Sequence, residues 1–257
     1  MYHSSKLVTL LTGVLLLGCR DTALPPTIAP GNAERSIATE APTSIASLID
    51  CGPGVPVAHR ATSRNWSEPE NSLSSLRRVI AQGIPIAEVD VASTSDGVHF
   101  LYHDSEWEED STCEGDVATT PFGKLDECRL ERDGRVSADT PPRLETALDL
   151  ARGRIALEID FKRSADYATV VETIRDAGMA EDVILIAYTN GQARRLRQLA
   201  PEMWISTTRE GPTLGPRTLR WWDRDAPGTD TPSIARRPDA TFHVSDRAGE
   251  LDWSCGG

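Results

Sequence analysis

The sequence predicts an α/β fold, a (β/α)8 TIM barrel with a small insertion after the third strand. From about residue 55, short runs rich in β-branched residues alternate with segments of helical periodicity. Such alternation is typical of a parallel sheet whose faces are covered by helices. The length of 257 residues suits a single barrel. A doubly wound sheet is the alternative, but no glycine-rich phosphate-binding turn follows the first strand.

The predicted elements alternate along most of the chain from residue 55. Helices are expected where apolar residues recur every three or four positions. They lie at 73–80, 144–151, 167–177 and 190–199. The predicted strands are 55–59, 84–92, 98–103, 154–161, 183–188 and 203–207.

Two regions depart from this pattern. The polar stretch from about 105 to 141 is too long for an ordinary loop, and it predicts a small inserted lobe. After about Gly211 the alternation fades, so the C-terminal strands are poorly defined. Residues 240–244 form a weak seventh strand, and no eighth strand is visible. The barrel is therefore open or irregular at this end, or the chain is truncated or out of its usual frame.

The N-terminal 50 residues are predicted to lie outside the barrel. Residues 1–19 have the proportions of a signal peptide, because their apolar run is too short to span a bilayer. The run ends in Leu16-Leu17-Gly18-Cys19, which resembles a bacterial lipobox with Cys19 as the lipidated residue. An ordinary signal peptide with a chance cysteine is the alternative.

Residues 20–50 are rich in Pro, Ala, Thr and Ser, and they predict a disordered tether. The domain itself is then expected at 51–257. An acylated cysteine would hold this domain at a membrane. The sequence thus predicts an exported protein that is lipid-anchored to the bacterial cell envelope.

Four cysteines remain if Cys19 is lipidated, and disulfides persist in an exported chain. Cys113 and Cys128 bracket a polar segment and are the more plausible pair. Cys51 and Cys255 lie near the two ends of the domain. Sequence alone leaves the pairing open.

Composition and charge limit the partners. The hydrophobic content of 39% and the charged content of 26% fit a globular core. The formal net charge of −12 argues against nucleic acid, which needs a basic surface. A small phosphodiester substrate stays compatible with this charge, because a bound metal reverses the field inside one cleft.

Carboxylates are paired on the second and fourth predicted strands. Glu88 and Asp90 stand two positions apart, so they share one face of a strand, and Glu158 and Asp160 do the same. Crowded buried carboxylates raise each other's pKa, and a hard divalent cation with oxygen ligands removes that cost. The sequence predicts Mg²⁺ or Ca²⁺ bound by Glu88, Asp90 and a carboxylate of the fourth strand. Solvated strand ends are the alternative.

Two histidines end predicted strands next to these carboxylates. Phosphodiester cleavage needs a base for the attacking hydroxyl and an acid for the leaving oxygen, and histidine suits both tasks. His59 and His103 are the candidates. Arg60 could clamp the phosphate oxygens, and Lys162 could neutralise charge in the transition state.

The same residues occur in a recognisable order, which resembles the glycerophosphodiester phosphodiesterase family over about residues 55–210. The motifs that carry the resemblance are Val57-Ala58-His59-Arg60, Pro69-Glu70-Asn71-Ser72-Leu73, Glu88-Val89-Asp90-Val91, Thr94-Ser95-Asp96-Gly97-Val98, His103-Asp104, Pro141-Pro142-Arg143-Leu144-Glu145 and Leu157-Glu158-Ile159.

The resemblance implies a TIM barrel that hydrolyses glycerophosphodiesters to glycerol 3-phosphate and an alcohol. It implies His59 and His103 as the acid–base pair and Arg60 as a phosphate-binding residue. By the family's pattern the metal ligands are Glu88, Asp90 and Glu158. A supporting role in the first loop falls to Glu70 and Asn71.

The chain departs from the family at three points. Ala61 stands where the family usually has glycine, and the loop after it carries Trp66. Asp160 stands at a position where lysine is common, so either Lys162 takes over that role or Asp160 is an extra ligand. The related barrel, the predicted tether, Trp66 and the undefined C-terminal end of the barrel leave two other functions open. One is a phospholipase D-like enzyme that acts on lysolipids or sphingolipids, and the other is a non-catalytic, ligand-binding envelope lipoprotein.

Overall fold

The structure is a computed structural model that describes residues 44–52, 54–207, 214–220, 242–251 and 253–255. The predicted signal peptide, its Cys19 and most of the tether lie outside these residues. Among the described helices, none has both the length and the apolar character needed to cross a membrane.

A single curled sheet of eight strands organises the described part of the domain. Its strands are β1 (Val55–Ala58), β2 (Ile86–Ser93), β3 (His99–Leu101), β6 (Ala156–Phe161), β7 (Val183–Ala187), β8 (Trp204–Thr207), β9 (Thr218–Arg220) and β10 (Phe242–Ser245). A separate hairpin contains β4 (Glu131–Arg132) and β5 (Arg135–Val136). The helices are α1 (Ile45–Asp50), α2 (Leu73–Ala81), α3 (Leu144–Ala151), α4 (Tyr167–Asp176) and α5 (Asn190–Leu199).

The order of strands across the sheet is β10-β1-β2-β6-β7-β8-β9, and these strands run parallel to one another. The α/β prediction with a parallel sheet is confirmed. The predicted apolar stripe of α3 is also seen, and its buried residues are Leu144, Ala147, Leu148 and Ala151. Parallel strands place all their carboxyl ends at one edge of the sheet. The polar motifs found in the sequence lie at or near this edge.

The third predicted strand exists, but it is not a parallel strand of the barrel as expected. β3 pairs antiparallel with β2, with Ser93 opposite His99 and Val91 opposite Leu101. Residues 94–98 form a tight turn, in which the Thr94 N–H donates to the Val98 carbonyl at 3.0 Å. A connection of five residues permits a hairpin but no parallel crossover. β6 therefore takes the place beside β2.

The C-terminal strands are partly as predicted. The weak strand expected at 240–244 corresponds to β10, which pairs with β1 and sets Ala58 beside Ser245. The short strand β9 was not predicted, and it pairs with β8. Among the described residues no ladder joins β9 to β10.

The boundary between tether and domain differs from the expected position at residue 51. Ile45–Asp50 form α1, and the side chains of Ile45 and Leu48 are fully buried. The Ser44 hydroxyl caps this helix by accepting the Ser47 N–H. Apolar residues at helical spacing, which the polar composition of the tether obscures, explain why this segment is folded.

The polar stretch after β3 forms a lobe with its own apolar cluster around Trp107. The hairpin β4–β5 belongs to this lobe, and a disulfide joins Cys113 to Cys128 within it. A second disulfide joins Cys51, at the end of α1, to Cys255 near the C-terminus. This is one of the three pairings that the sequence left open.

Candidate active site at the carboxyl end of the sheet

Three buried carboxylates meet where β2 and β6 run side by side. The two strands pair in register, with Glu88 opposite Glu158 and Asp90 opposite Asp160. One oxygen each from Glu88, Asp90 and Asp160 forms a group whose members lie within 4.8 Å of one another. Such a set of hard oxygen ligands is what Mg²⁺ and Ca²⁺ prefer.

Glu158 stands beside this group but is not a member of it. Its Oε2 atom is buried without a hydrogen-bond partner among the described residues. Burial raises the pKa of Glu158 to about 7, although a hydrogen bond from Ser206 opposes the rise. Asp160 lies one strand repeat nearer the carboxyl edge, level with Asp90. Among the described residues, Asp160 is the carboxylate of β6 that joins this group, and Glu158 as a ligand stays a prediction of the family resemblance.

A lysine bridges two of the three carboxylates. Lys162 Nζ lies 2.6 Å from Asp90 Oδ1 and 3.0 Å from Asp160 Oδ2. Burial raises the pKa of Asp90, but the charge and hydrogen bond of Lys162 outweigh it and leave that pKa below its usual value. The Tyr188 hydroxyl also donates to Asp160 Oδ2, at 3.1 Å.

Within the described residues, no lysine or arginine side chain pairs with the Glu88 carboxylate, and His59 Nε2 lies 4.0 Å from its Oε2. Glu88 accepts the backbone N–H of Arg60 at 2.6 Å. Burial, followed by the negative charge of Asp90, raises the pKa of Glu88 well above its usual range. When all three carboxyls are ionised, the group carries more negative charge than Lys162 neutralises, and a divalent cation would favour that ionised state.

The loop after β1 has a strained backbone, and this conformation directs a backbone N–H toward Glu88. Arg60 and Ala61 have φ values of 51° and 55°, in the left-handed region that favours glycine. The turn aims the Arg60 N–H at Glu88, while the Arg60 carbonyl accepts the Asn71 N–H at 2.8 Å. The left-handed φ at residue 61 is a physical reason why glycine is usual there.

Asn71 fixes the orientation of Asp90. Its Nδ2 donates to Asp90 Oδ2 at 2.7 Å, and its Oδ1 accepts the Asp90 N–H at 2.9 Å. Asn71 is buried and itself has a φ of 54°, which asparagine tolerates better than most residues. The supporting role suggested for Asn71 therefore has a definite geometry.

The Arg60 side chain links Glu70 to the second histidine. Nη1 donates to Glu70 Oε1 at 2.7 Å, and Nη2 contacts His103 Nε2 at 2.8 Å. A guanidinium can only donate, so His103 Nε2 accepts and Nδ1 carries the proton. That Nδ1–H donates to Asp104 Oδ1 at 2.5 Å. Burial raises the pKa of Glu70 to about 7, against the opposing charge of Arg60.

The first histidine has a carboxylate partner that the sequence did not predict. His59 Nδ1 lies 2.6 Å from Asp246 Oδ1, and His59 Nε2 lies 4.0 Å from Glu88 Oε2. Asp246 directly follows β10, whose pairing with β1 brings it beside His59. One signal for Asp246 was present in the sequence. It follows the weak strand predicted at 240–244, and other site residues also lie at or just after the end of a predicted strand.

Two clefts flank the histidine pair. His59 lies on a cleft of ≈ 300 Å³, whose described lining residues are His59, Arg60, Thr62, Arg64, Glu70, Arg132 and Asp246. His103 and Lys162 line a second cleft of ≈ 770 Å³.

The comparison with protein families agrees with the motif order. Residues 59–227, more than half of the chain, match the glycerophosphoryl diester phosphodiesterase family. The chain belongs to this family. The matched range contains both histidines and the carboxylates of β2 and β6, whereas Asp246 lies beyond it.

A curated relative supports this membership over part of the chain. Glycerophosphodiester phosphodiesterase 1 of Mus musculus is 28% identical over 118 residues, which cover 44% of this chain. The match spans 35% of the mouse protein, about a third of its length.

Solved structures of glycerophosphodiester phosphodiesterases share the fold. A glycerophosphoryl diester phosphodiesterase from Parabacteroides distasonis superposes with a TM-score of 0.68 at 20% identity, covering 84% of this chain and 95% of that one. A relative from Agrobacterium tumefaciens has a TM-score of 0.61 at 22% identity, with coverages of 76% and 96%. An Oleispira antarctica phosphodiesterase, solved with the product sn-glycerol-3-phosphate, has a TM-score of 0.58 at 17% identity, with coverages of 77% and 95%.

Proposed function

We propose that this chain hydrolyses glycerophosphodiesters to glycerol 3-phosphate and an alcohol. The observation that carries the proposal is the paired geometry of the histidines. His59 contacts Asp246 and His103 contacts Asp104, each through Nδ1, so that Nε2 is the ring atom of each that would exchange a proton. Family membership supports the reaction class, and the product held by the Oleispira antarctica enzyme supports glycerol 3-phosphate as the product here.

The two histidines exchange protons with the reacting oxygens. One accepts a proton from the attacking water as the new P–O bond forms, and the other gives a proton to the alcohol oxygen as its bond to phosphorus breaks. The carboxylates of Asp246 and Asp104 orient the rings and stabilise the imidazolium that forms. Before His103 can act, Arg60 Nη2 must leave His103 Nε2, and a phosphate oxygen is the natural new acceptor for that guanidinium.

A divalent cation, Mg²⁺ or Ca²⁺, fits the carboxylate group. Glu88, Asp90 and Asp160 would hold it, and Asn71 holds Asp90 in place for that purpose. When bound, the cation supplies Lewis-acid polarisation of a phosphoryl oxygen. Lys162 then adds positive charge at the same edge and stabilises the charge that develops on the phosphate.

The membrane anchor belongs to the same proposal. Lipidation at Cys19, with a tether that ends before α1, would leave the domain at the surface of the cell envelope. The disulfides Cys51–Cys255 and Cys113–Cys128 support export, because disulfides persist in oxidising compartments. The substrate would then be a small phosphodiester outside the cytoplasm.

One observation that favoured the phospholipase D-like alternative no longer supports it. Trp66 was one reason to consider that alternative, but this residue is only 4% exposed, and its ring lies beside Gly249. The non-catalytic alternative has no evident need for two histidine–carboxylate pairs. No specific observation among the described residues favours either alternative.

Hydrolysis of glycerophosphocholine tests the proposal directly. We expect release of both choline and glycerol 3-phosphate, with loss of activity after exhaustive chelation and recovery on adding Mg²⁺ or Ca²⁺. Lysophosphatidylcholine serves as the comparison substrate. Choline release from the lysolipid alone would support the phospholipase D-like alternative, and hydrolysis of neither would contradict an enzymatic role.

A further inference from the structure

Two arginines that the acid–base chemistry does not use line the cleft beside His59. Arg64 lies on the loop after β1, and Arg132 lies on β4 of the inserted lobe. Both belong to the lining of the ≈ 300 Å³ cleft. The cleft therefore gathers guanidinium groups from two separate segments of the chain.

Neither guanidinium is neutralised by a carboxylate within the described residues. Arg132 Nη2 donates to the Ser63 carbonyl at 3.3 Å, and its buried Nε has no hydrogen-bond partner in the described part of the chain. The Arg64 backbone N–H donates to the Asp246 carbonyl, but its side chain has no hydrogen bond or ion pair with any described residue. Both side chains can thus bind a ligand without first breaking an ion pair.

The two acidic residues among the described lining of the cleft already have cationic or imidazole partners. Glu70 pairs with Arg60 at 2.7 Å, and Asp246 contacts His59 at 2.6 Å. The charge left over in the cleft is therefore positive, although the whole chain has a net charge of −12. Such a local field attracts anions, and the planar guanidinium fork fits phosphate or carboxylate oxygens in pairs.

We propose that Arg64 and Arg132 form a subsite for a second anionic group on the substrate. The inference rests on the proposed function, and it adds to it a preference for glycerophosphodiesters whose alcohol carries an anionic group. With the scissile phosphate between His59 and His103, one ester arm extends past His59 into this cleft. The glycerol arm carries no charge, so the anionic group belongs to the alcohol arm.

A matched pair of substrates isolates the second charge. Glycerophosphoinositol 4-phosphate and glycerophosphoinositol share every group except one phosphate. The protein is expected to prefer the former by about tenfold or more in kcat/KM, the scale of a charge-assisted hydrogen-bond pair. A double variant, Arg64→Gln with Arg132→Gln, is expected to reduce this ratio to within about twofold.

Three further measurements keep the outcome clear. Arg154→Gln removes an exposed arginine at the amino end of β6, opposite the site, and is expected to keep the wild-type ratio. The double variant loses the Arg132 contact to Ser63, and that loss could unfold the lobe. Arg64→Gln alone keeps that contact and is expected to reduce the ratio as well. Calorimetric titration with the same two compounds compares their affinities without turnover.

The outcomes separate the subsite from the reaction. Equal kcat/KM for the two compounds in the wild-type protein, or a preference that survives both arginine substitutions, would overturn the subsite. Absence of hydrolysis for both compounds would count against the proposed function, and tighter binding of the 4-phosphate that depends on the arginines would still support the subsite.

Discussion

His59 Nδ1 and Asp246 Oδ1 lie 2.6 Å apart, although 187 positions separate the two residues in the sequence. The contact exists because β10 pairs with β1 and places Ser245 beside Ala58. The end of the chain thus completes the environment of a residue at the start of the domain.

Removal of the Asp246 carboxylate should impair turnover more than binding. In Asp246→Asn the amide no longer stabilises the imidazolium, and we expect kcat to fall by about 10²-fold or more with a smaller change in KM. Steady-state kinetics measure the split, and ¹⁵N NMR of the ring reports whether the proton still resides on His59 Nδ1. Glu250→Gln, a charge removal in the same segment, is the control, and an equal loss of kcat in both variants would contradict a specific role for Asp246.

The choice between Asp160 and Glu158 as the third metal ligand has a direct test. Asp160→Asn removes an oxygen charge from the group within 4.8 Å, whereas Glu158→Gln changes a side chain outside it. We expect Asp160→Asn to weaken Mg²⁺ or Ca²⁺ binding by about tenfold or more, and Glu158→Gln to weaken it less. Calorimetric titration of each ion gives the affinities, and the reverse ranking would restore Glu158 as the ligand.

Asn71 should matter for stability as well as for the site. Asn71→Ala removes both contacts to Asp90 and leaves the buried Asp90 N–H without a partner, at a cost of about 2–4 kcal/mol in the free energy of unfolding. Asn71→Gly relieves the left-handed backbone at φ 54° but lacks the same contacts. Urea titration of both variants separates the two effects, and a fully stable Asn71→Gly would show that backbone strain, and not the hydrogen bonds, dominates.

The loop after β1 packs against the C-terminal segment through Trp66 and Gly249. A Cβ at residue 249 would lie 2.6 Å from the Trp66 ring, so Gly249→Ala should destabilise the fold by about 1–3 kcal/mol. Gly123→Ala, where a Cβ meets nothing within 4 Å, should change stability by no more than about 0.5 kcal/mol. Thermal unfolding followed by Trp fluorescence measures both.

A smaller ring at residue 66 tests the same contact from the other side. In a Trp66→Phe background the penalty of Gly249→Ala should shrink, because the clashing indole atoms are absent. A penalty that is unchanged in that background would place the strain elsewhere.

The predicted site residues come together in the structure because each belongs to a local motif. His59, Glu88, Asp90 and His103 each lie in a short polar motif at or near a strand end, and neighbouring parallel strands bring such ends together. The sheet and its helices followed from periodicity, which holds from residue 55 to 207.

Other features of the site and the sheet could not be predicted without the three-dimensional structure. Glu158 and Asp160 share one face of β6, so only the depth along the strand distinguishes them. Asp246 follows a strand of four residues, which is too short to show a clear period, and its partner lies at the other end of the domain. The direction of β3 depended on the five-residue turn before it, a signal that was present in the sequence but outweighed by the expected strand–helix alternation.

The central claim is that His59 and His103 act as an acid–base pair on glycerophosphodiesters. Glycerol 3-phosphate release from glycerophosphocholine should fall by about 10³-fold or more in His59→Ala and in His103→Ala, when both proteins remain folded by circular dichroism. His243→Gln, a histidine of β10 outside the pair, is the control and should retain activity. Full activity in either alanine variant would contradict the account.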